Sequence, residues 1–266
     1  MRLHDKVVAL TGGGRGIGRA IALAFAREGA RLVLVSDVER EVQGVAEEVR
    51  AAGAKAAALR ADVTRGEDMD AMARLAVAEF GAVGVLVTAA GIDASGLLAE
   101  QDPAVWTRVI DVNLNGTYRA IRAVLPAMMA RKEGRIITIS SIFGKMGGYS
   151  FTTAYAASKH GVIGLTRSLA AEIASQGYPG ITVNAICPGY VRAGMGLALQ
   201  KVKNREGGVT EMPGNEIFER YLKRRVPQRR MMEADEIAHV AVFLALPETR
   251  GMTGQALNVD GGFLMS

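Results

Sequence analysis

The stretch Thr11-Gly12-Gly13-Gly14-Arg15-Gly16-Ile17-Gly18 follows the apolar run Val7-Val8-Ala9-Leu10. Beyond it, Ile21, Ala22, Phe25 and Ala26 recur at helical spacing. The glycines therefore lie between a buried strand and a helix N-terminus. Glycine permits a tight turn there and lets the backbone approach a pyrophosphate closely. The helix end offers free N–H groups and the positive end of its dipole. Gly12, Arg15, Gly16, Ile17 and Gly18 thus read as a phosphate-binding turn; a merely flexible loop is the plainer alternative.

Outward from this turn the chain alternates between apolar runs and helical patterns. Arg31 to Val35 is a second strand, ending at Ser36-Asp37, about 20 residues past the glycines, where a carboxylate can accept hydrogen bonds from an adenosine ribose. The same carboxylate repels a 2′-phosphate, which favours NAD over NADP, whereas Arg15 points the other way. Asp37 can equally cap the helix expected from Glu39 to Ala52. Lys55 to Arg60 is a third strand, followed by Asp62-Val63, where Asp62 either bonds an adenine amino group or caps a turn. Thr64-Arg65-Gly66-Glu67 matches a capping box for a helix running to Phe80. Val85-Leu86-Val87 leads into Thr88-Ala89-Ala90-Gly91, where small residues such as Ala89 leave room for a cofactor.

Pro103 to about Lys132 is a long helical stretch with Trp106, Ile110, Ile121, Leu125 and Met128 as expected core contacts. Asn113-Leu114-Asn115-Gly116 in its middle suits a helix interior poorly and predicts a kink or a polar task. Gly134 to Ile139 is a fifth strand, ending in Ser140-Ser141. A helix bearing Val162, Leu165, Leu169 and Ile173 on one stripe follows, and Ile181 to Ile186 leads to Cys187-Pro188-Gly189. Residues 193–230 break the rhythm and read as a candidate substrate lid. Met146, Gly147, Tyr149 and Phe151 are expected in the substrate pocket. A helix with Ile237, Val240, Ala241 and Leu244 inward and a last strand, Ala256 to Val259, complete the chain.

This alternation predicts an α/β fold: residues 1–266 as a single domain, a doubly wound parallel sheet with helices on both faces. Ligands of such sheets lie outside the strands' carboxyl ends. Gly12, Asp37, Asp62, Ala89, Ser141 and Pro188 all follow directly on strands, which predicts one dinucleotide site.

Within it falls Tyr155-Ala156-Ala157-Ser158-Lys159. On a helix, positions four apart share a face. A free Tyr titrates near pH 10, and a fixed cation nearby favours the phenolate. Such a Tyr takes a proton from an alcohol or returns one to a ketone. The spacing alone is common on surface helices; its place in the chain gives it weight.

The composition fits an enzyme of this kind. Of 266 residues, 49% are hydrophobic and 22% charged, as in a globular protein. No apolar run approaches the roughly 18 residues of a membrane span. The single cysteine, Cys187, excludes an internal disulfide and suits a cytoplasmic location. The net charge of +5 comes without a nucleic-acid motif, apart from a basic excess between Lys201 and Arg230. His4, His160 and His239 are scattered, so no metal site is expected.

Over essentially its whole length the chain resembles the short-chain dehydrogenase/reductase family. The resemblance rests on Thr11-Gly12-x-x-x-Gly16-x-Gly18, Asp62-Val63, the order of Asn113, Ser141, Tyr155 and Lys159, and Pro188-Gly189. It implies a Rossmann sheet of seven strands, a homotetramer, and hydride transfer between NAD(P) and an alcohol or ketone. Asn113, Ser141, Tyr155 and Lys159 take the tetrad positions. Pro188, Gly189 and Val191 flank the nicotinamide. Ser141 is expected to orient the substrate oxygen, and Tyr155 to act as general acid or base. Lys159 is expected to hold the nicotinamide ribose and lower the Tyr pKa, and Asn113 to hold a relay water. Two departures stand out: the family's Asn-Asn-Ala-Gly is Thr88-Ala89-Ala90-Gly91, and a frequent Thr is Ala193.

The expectation is therefore an NAD-dependent oxidoreductase acting on a secondary alcohol or ketone. Two alternatives are kept: an NADPH-dependent 3-oxoacyl-carrier reductase, whose acidic partner would meet the basic stretch, and a non-catalytic dinucleotide sensor.

Overall fold

Each apolar run of the sequence becomes a strand in the computed structural model, which describes residues 1–147, 151–195, 201–203, 209–211 and 216–265. The strands are β1 (Val7–Thr11), β2 (Arg31–Ser36), β3 (Ala56–Arg60), β4 (Val85–Thr88), β5 (Gly134–Ile139), β6 (Ile181–Pro188) and β9 (Ala256–Val259). They form one parallel sheet in the order β3-β2-β1-β4-β5-β6-β9. A separate antiparallel pair, β7 (Lys201–Lys203) and β8 (Val209–Glu211), lies within the expected lid.

Parallel strands covered on both faces need apolar side chains in both directions, and successive side chains point to opposite faces. In β1, Val8 and Leu10 enter one core while Val7 and Ala9 enter the other; in β2, Leu32 and Leu34 part from Val33 and Val35 in the same way. The first core is closed by α1 (Gly16–Arg27), α2 (Glu39–Ala51) and α8 (Ala234–Ala245), through Ile21, Phe25, Val42, Ile237 and Leu244. The second is closed by α3 (Gly66–Phe80), α5 (Gly116–Arg131) and α6 (Thr153–Ser175), through Met72, Ile121, Met128, Leu169 and Ile173. Each large side chain so buried contributes about 1.5–3 kcal/mol relative to exposure.

The chain runs from β1 outward to β3, then returns to β4 on the other side of β1. That reversal opens a crevice at the strands' carboxyl ends, where Thr11 stands level with Val35 and Thr88.

Several local expectations are corrected. Thr64 does not cap α3: its N–H and hydroxyl both donate to Asp62 Oδ1, at 2.9 and 2.8 Å. The side-chain turn around Asp62 outcompetes the helix cap for the same hydroxyl, and the helix begins after Arg65 without a side-chain cap. The long helical stretch is broken in two, α4 (Pro103–Ile110) and α5, by a single π turn over Asp111–Asn115. Such turns accommodate a wide backbone step and recur at functional sites. Trp106 is exposed, not core: α4 packs on α6 and the π turn and buries Val109 instead.

Of the expected lid, Glu216–Arg225 forms a helix, α7, and residues 196–200, 204–208 and 212–215 lie outside the described residues. Tyr221 on α7 meets Tyr190 edge-to-face at 5.7 Å, their hydroxyls 3.0 Å apart. Residues 193–230 as a lid, and 1–266 as one domain, are carried forward as proposals.

Candidate active site

The glycine turn is shaped by its backbone. Gly12 has φ +69°, and a Cβ there would sit 2.5 Å from the Ala90 nitrogen. Gly16 has φ +56° and opens α1. A Cβ on Gly18 would collide with the Gly12 carbonyl oxygen. The turn is thus pressed against β4 on one side and α1 on the other, and only hydrogen fits at either contact. The residue before α1, Arg15, supplies no side-chain cap and the first turn has no acidic residue. The helix's leading N–H groups are left for a ligand, and an anion is what such an end binds.

One cleft runs from this turn along the carboxyl ends of the strands. It is lined at the glycine end by Gly12, Arg15, Gly16, Ile17 and Gly18, and further along by Asp37, Asp62, Val63 and Ala89. Ser141, Tyr155, Lys159, Pro188, Gly189 and Val191 line its other end. Every expected site residue except Asn113 borders it. Asp37 is exposed, and the helix that follows is headed by Val38 instead, so the capping alternative for Asp37 is not seen. Asp62 caps its own turn and faces the Arg108 guanidinium at 3.5 Å. Arg15 faces Glu41 at 3.7 Å. The cradle, the uncapped helix end and the line of carboxylates fit a dinucleotide.

At the far end, Ser141 leaves β5 with its Oγ accepting from the Phe143 N–H at 3.1 Å. The same hydroxyl is near enough to the Tyr155 phenol to pull its pKa down. Gly144 lets α6 come this close, since a Cβ there would meet Ser140 Oγ at 2.5 Å and the Lys159 carbonyl at 2.6 Å. Phe143 packs edge-to-face on the Tyr155 ring at 6.3 Å. Lys159 is buried; its Nζ donates to the Ile139 carbonyl at 2.9 Å and lies 5.6 Å from the centre of the Tyr155 ring.

Asn113 is fully buried in the π turn behind the cleft. Its Oδ1 accepts from the Ile92 N–H at 2.8 Å, while its Nδ2 donates to the Ile92 carbonyl and to Ser158 Oγ, both at 2.9 Å. Ser158 Oγ in turn donates to the Tyr155 carbonyl at 2.7 Å. The asparagine ties the end of β4 to the helix that carries Tyr155 and Lys159.

The electrostatics differ from the simple expectation of a cation lowering the phenol. Burial pushes Tyr155 up to about 12, against the downward pull of the nearby Ser141 hydroxyl, and the Asp93 carboxylate adds to the rise. Burial also lowers Lys159 to about 8. Desolvation dominates both groups, and the ammonium is not among the causes that set the phenol. In the protein alone the phenol is therefore a proton donor held ready, not a standing base.

A stability prediction follows. The Lys159 ammonium titrates near 10.5 in the unfolded chain and near 8 when folded. A folded value below the unfolded one means that the unfolded chain binds more protons between them. The burial cost, about 3 kcal/mol, is therefore fully present below about pH 8 and relieved as pH rises to about 10.5. Losing the bond to Ile139 costs about 1 kcal/mol. Lys159→Met should thus stabilise the protein at pH 7 by about 2 kcal/mol in denaturant unfolding, and by less at pH 10. A destabilised variant, or a difference independent of pH, would contradict this cost.

With this geometry in view, comparison with known proteins decides the family. The family profile described as short chain dehydrogenase matches residues 6–204.

The chain belongs to the short-chain dehydrogenase family.

Family membership makes it an oxidoreductase that binds a nicotinamide dinucleotide. It is 36% identical over 262 residues to a 3-oxoacyl-[acyl-carrier-protein] reductase, FabG, of Staphylococcus epidermidis, covering 98% of this chain and 100% of the relative. It is 37% identical over 261 residues to the oxidoreductase UcpA of Escherichia coli, covering 98% and 95%. A variant of actinorhodin polyketide ketoreductase, solved with NADPH, superposes with TM-score 0.89 at 36% identity, covering 99% of each chain.

Sequence reading missed Asp93, Arg108, Phe143 and Tyr190, all of which border the cleft. None sits in a motif; each is brought in by the turn or helix after a strand. Conversely Met146, Gly147 and Phe151 do not border it: Phe151 is exposed with φ +76°, and Met146 packs on a small core under α7. Tyr149 lies outside the described residues. Among the described residues no three His, Cys, Asp or Glu gather as metal ligands, and no helix is long and apolar enough to cross a membrane.

Proposed function

We propose that this oxidoreductase moves hydride between NAD(H) and a secondary alcohol or its ketone, with Tyr155 as general acid and base. The observation that carries this reading is the meeting of Ser141, Tyr155 and Lys159 in the cleft that begins at the glycine turn. Ser141 holds the substrate oxygen. Tyr155 gives it a proton during ketone reduction and takes one during alcohol oxidation. Lys159 faces the nicotinamide ribose, and Asn113 holds the end of β4 and α6 in register. The relay water expected at Asn113 remains part of the proposal, although its side-chain amide is already engaged by Ile92 and Ser158. The dinucleotide supplies the hydride, or accepts it as an oxidised ring whose positive charge favours the phenolate. With the phenol held at about 12 in the protein alone, Tyr155 stands protonated at neutral pH, the form that donates during ketone reduction.

NAD is preferred in this reading because Asp37 is exposed on the cleft where an adenosine ribose would lie, and Arg15 already faces Glu41. A carboxylate against a 2′-phosphate costs on the order of 2 kcal/mol or more. Asp37→Ser should therefore raise the ratio of kcat/KM for NADP over NAD by about 30-fold, measured by nicotinamide absorbance. A ratio that does not move would remove Asp37 from cofactor choice and favour NADP.

The second reading is an NADPH-dependent 3-oxoacyl-carrier reductase, favoured by the FabG relative and by the run Lys223, Arg224, Arg225 ending α7. A homotetramer is proposed from the family resemblance; Trp106 and Tyr118, exposed on α4 and α5, suit a face that another subunit covers.

A further inference from the structure

Asp93 is a carboxylate that the proposed chemistry does not use. It borders the cleft together with Ser141 and Tyr155, and it is close enough to Tyr155 for its charge to act on the phenol. Its Oδ1 is buried with no hydrogen-bond partner. No cation among the described residues pairs with it. The other charged groups at this end are Lys159, which donates to the Ile139 carbonyl, and Arg108, which faces Asp62. Asp93 is half-buried, and its carboxyl pKa is raised by burial against the pull of the Ala94 backbone N–H. An enclosed carboxylate oxygen without a partner is costly, and native proteins leave few polar atoms so.

The position is also held in place. Ile92, one residue before, is clamped on both backbone groups by Asn113. Three residues after, the Gly96 N–H donates to the Phe151 carbonyl at 3.0 Å, pinning the loop to the segment that enters α6. The loop carrying Asp93 is thus fastened at both ends to the elements that set Tyr155. A carboxylate presented so needs a donor, and the open side is the substrate's end of the cleft. The cleft already carries the Lys159 and Arg108 cations, which disfavours a further one and leaves a neutral hydroxyl as the fitting donor.

We propose that Asp93 is a specificity-determining residue that accepts a hydrogen bond from a second hydroxyl of the substrate, so that the enzyme acts on vicinal diols and their hydroxyketones. This rests on the alcohol and ketone reading above. In oxidation the carbinol C–H bond breaks with its electron pair passing as hydride to the oxidised nicotinamide. The carbinol proton goes to Tyr155, a C=O bond forms, and the second hydroxyl is unchanged. A 3-oxoacyl thioester has no donor beside its ketone, so the same residue weighs against the carrier-protein reading.

The test is the binding of alcohols to the enzyme–NADH complex, which cannot turn them over. Calorimetric titration compares trans-cyclohexane-1,2-diol with cyclohexanol. A hydrogen bond to a charged acceptor predicts a diol at least about tenfold tighter. In Asp93→Ala the ratio of the two Kd values should fall to about one, with Asp93→Asn, which keeps shape and an acceptor, in between. A ratio near one in the native enzyme, no measurable binding of either probe, or a loss in Asp93→Ala that falls on NADH affinity would each overturn the proposal. Steady-state assays on the same pair separate the two layers. Binding of the diol that depends on Asp93, without NAD- or NADP-linked turnover of any alcohol, would sink the alcohol reading and leave the Asp93 assignment standing.

Discussion

Gly18→Ala, the addition of one methyl group, is expected to cost at least about a hundredfold in NADH affinity, read by fluorescence titration. The new Cβ would collide with the Gly12 carbonyl oxygen, a backbone atom that no rotamer change can move aside. Gly12 has no room to retreat, because it is itself in contact with the backbone of Ala89 and Ala90. The turn must therefore shift as a unit away from the N-terminus of α1. A displacement of about 1 Å in a positioned site is enough for a loss on the order of 10²-fold. Overpacking should also cost about 1–3 kcal/mol in stability. Gly44→Ala is the matched control: a Cβ there meets nothing within 4 Å, and it lies inside α2 away from the cleft. It should leave NADH affinity alone and stabilise by up to about 1 kcal/mol. Equal NADH affinity in Gly18→Ala and the native protein would show that the turn is not where the dinucleotide lies.

The second large effect is at Tyr155. Tyr155→Phe keeps the ring that packs on Phe143 and removes the hydroxyl proposed to exchange a proton with the substrate oxygen. General acid–base help is worth about 10²–10⁴-fold, so kcat should fall by that factor in both directions. NADH affinity should change little, because the glycine turn, Asp37 and Lys159 are untouched. The loss belongs to kcat and not to KM for the dinucleotide, which separates it from a folding defect.

The sheet was legible because each strand is written locally. Val7 to Leu10 is apolar without interruption, Gly134 to Ile139 carries Ile136, Ile137 and Ile139, and the glycines or small residues after them mark the turns. The Asn113-Leu114-Asn115-Gly116 break was legible as a break, and the π turn is its form. What could not be read depends on neighbours distant in sequence. Burial, not the ammonium, sets Tyr155, and burial is a property of the assembled cleft. Thr64 has two partners on offer, the α3 backbone and Asp62, and the choice rests on the path of the chain after β3. Trp106 follows a helical stripe, but α4 packs on another helix, α6, and turns Val109 inward instead. Asp93 carries no motif at all; only its lack of a partner marks it.

The account turns on whether the Tyr155 phenol carries the proton that accompanies hydride transfer. The direct measurement is stopped-flow formation of reduced nicotinamide in enzyme pre-equilibrated with the oxidised dinucleotide and mixed with an alcohol it turns over, from about pH 6 to about pH 10. Lys159, held near 8, titrates inside this window, so the comparison of native enzyme with Tyr155→Phe decides, both keeping that lysine. The native rate should climb about tenfold per pH unit while the phenolate is the minor form. The variant should be lower by about 10²–10⁴-fold and lack that climb. A Tyr155→Phe enzyme that forms reduced nicotinamide at the native rate, with the same dependence on pH, would contradict the account.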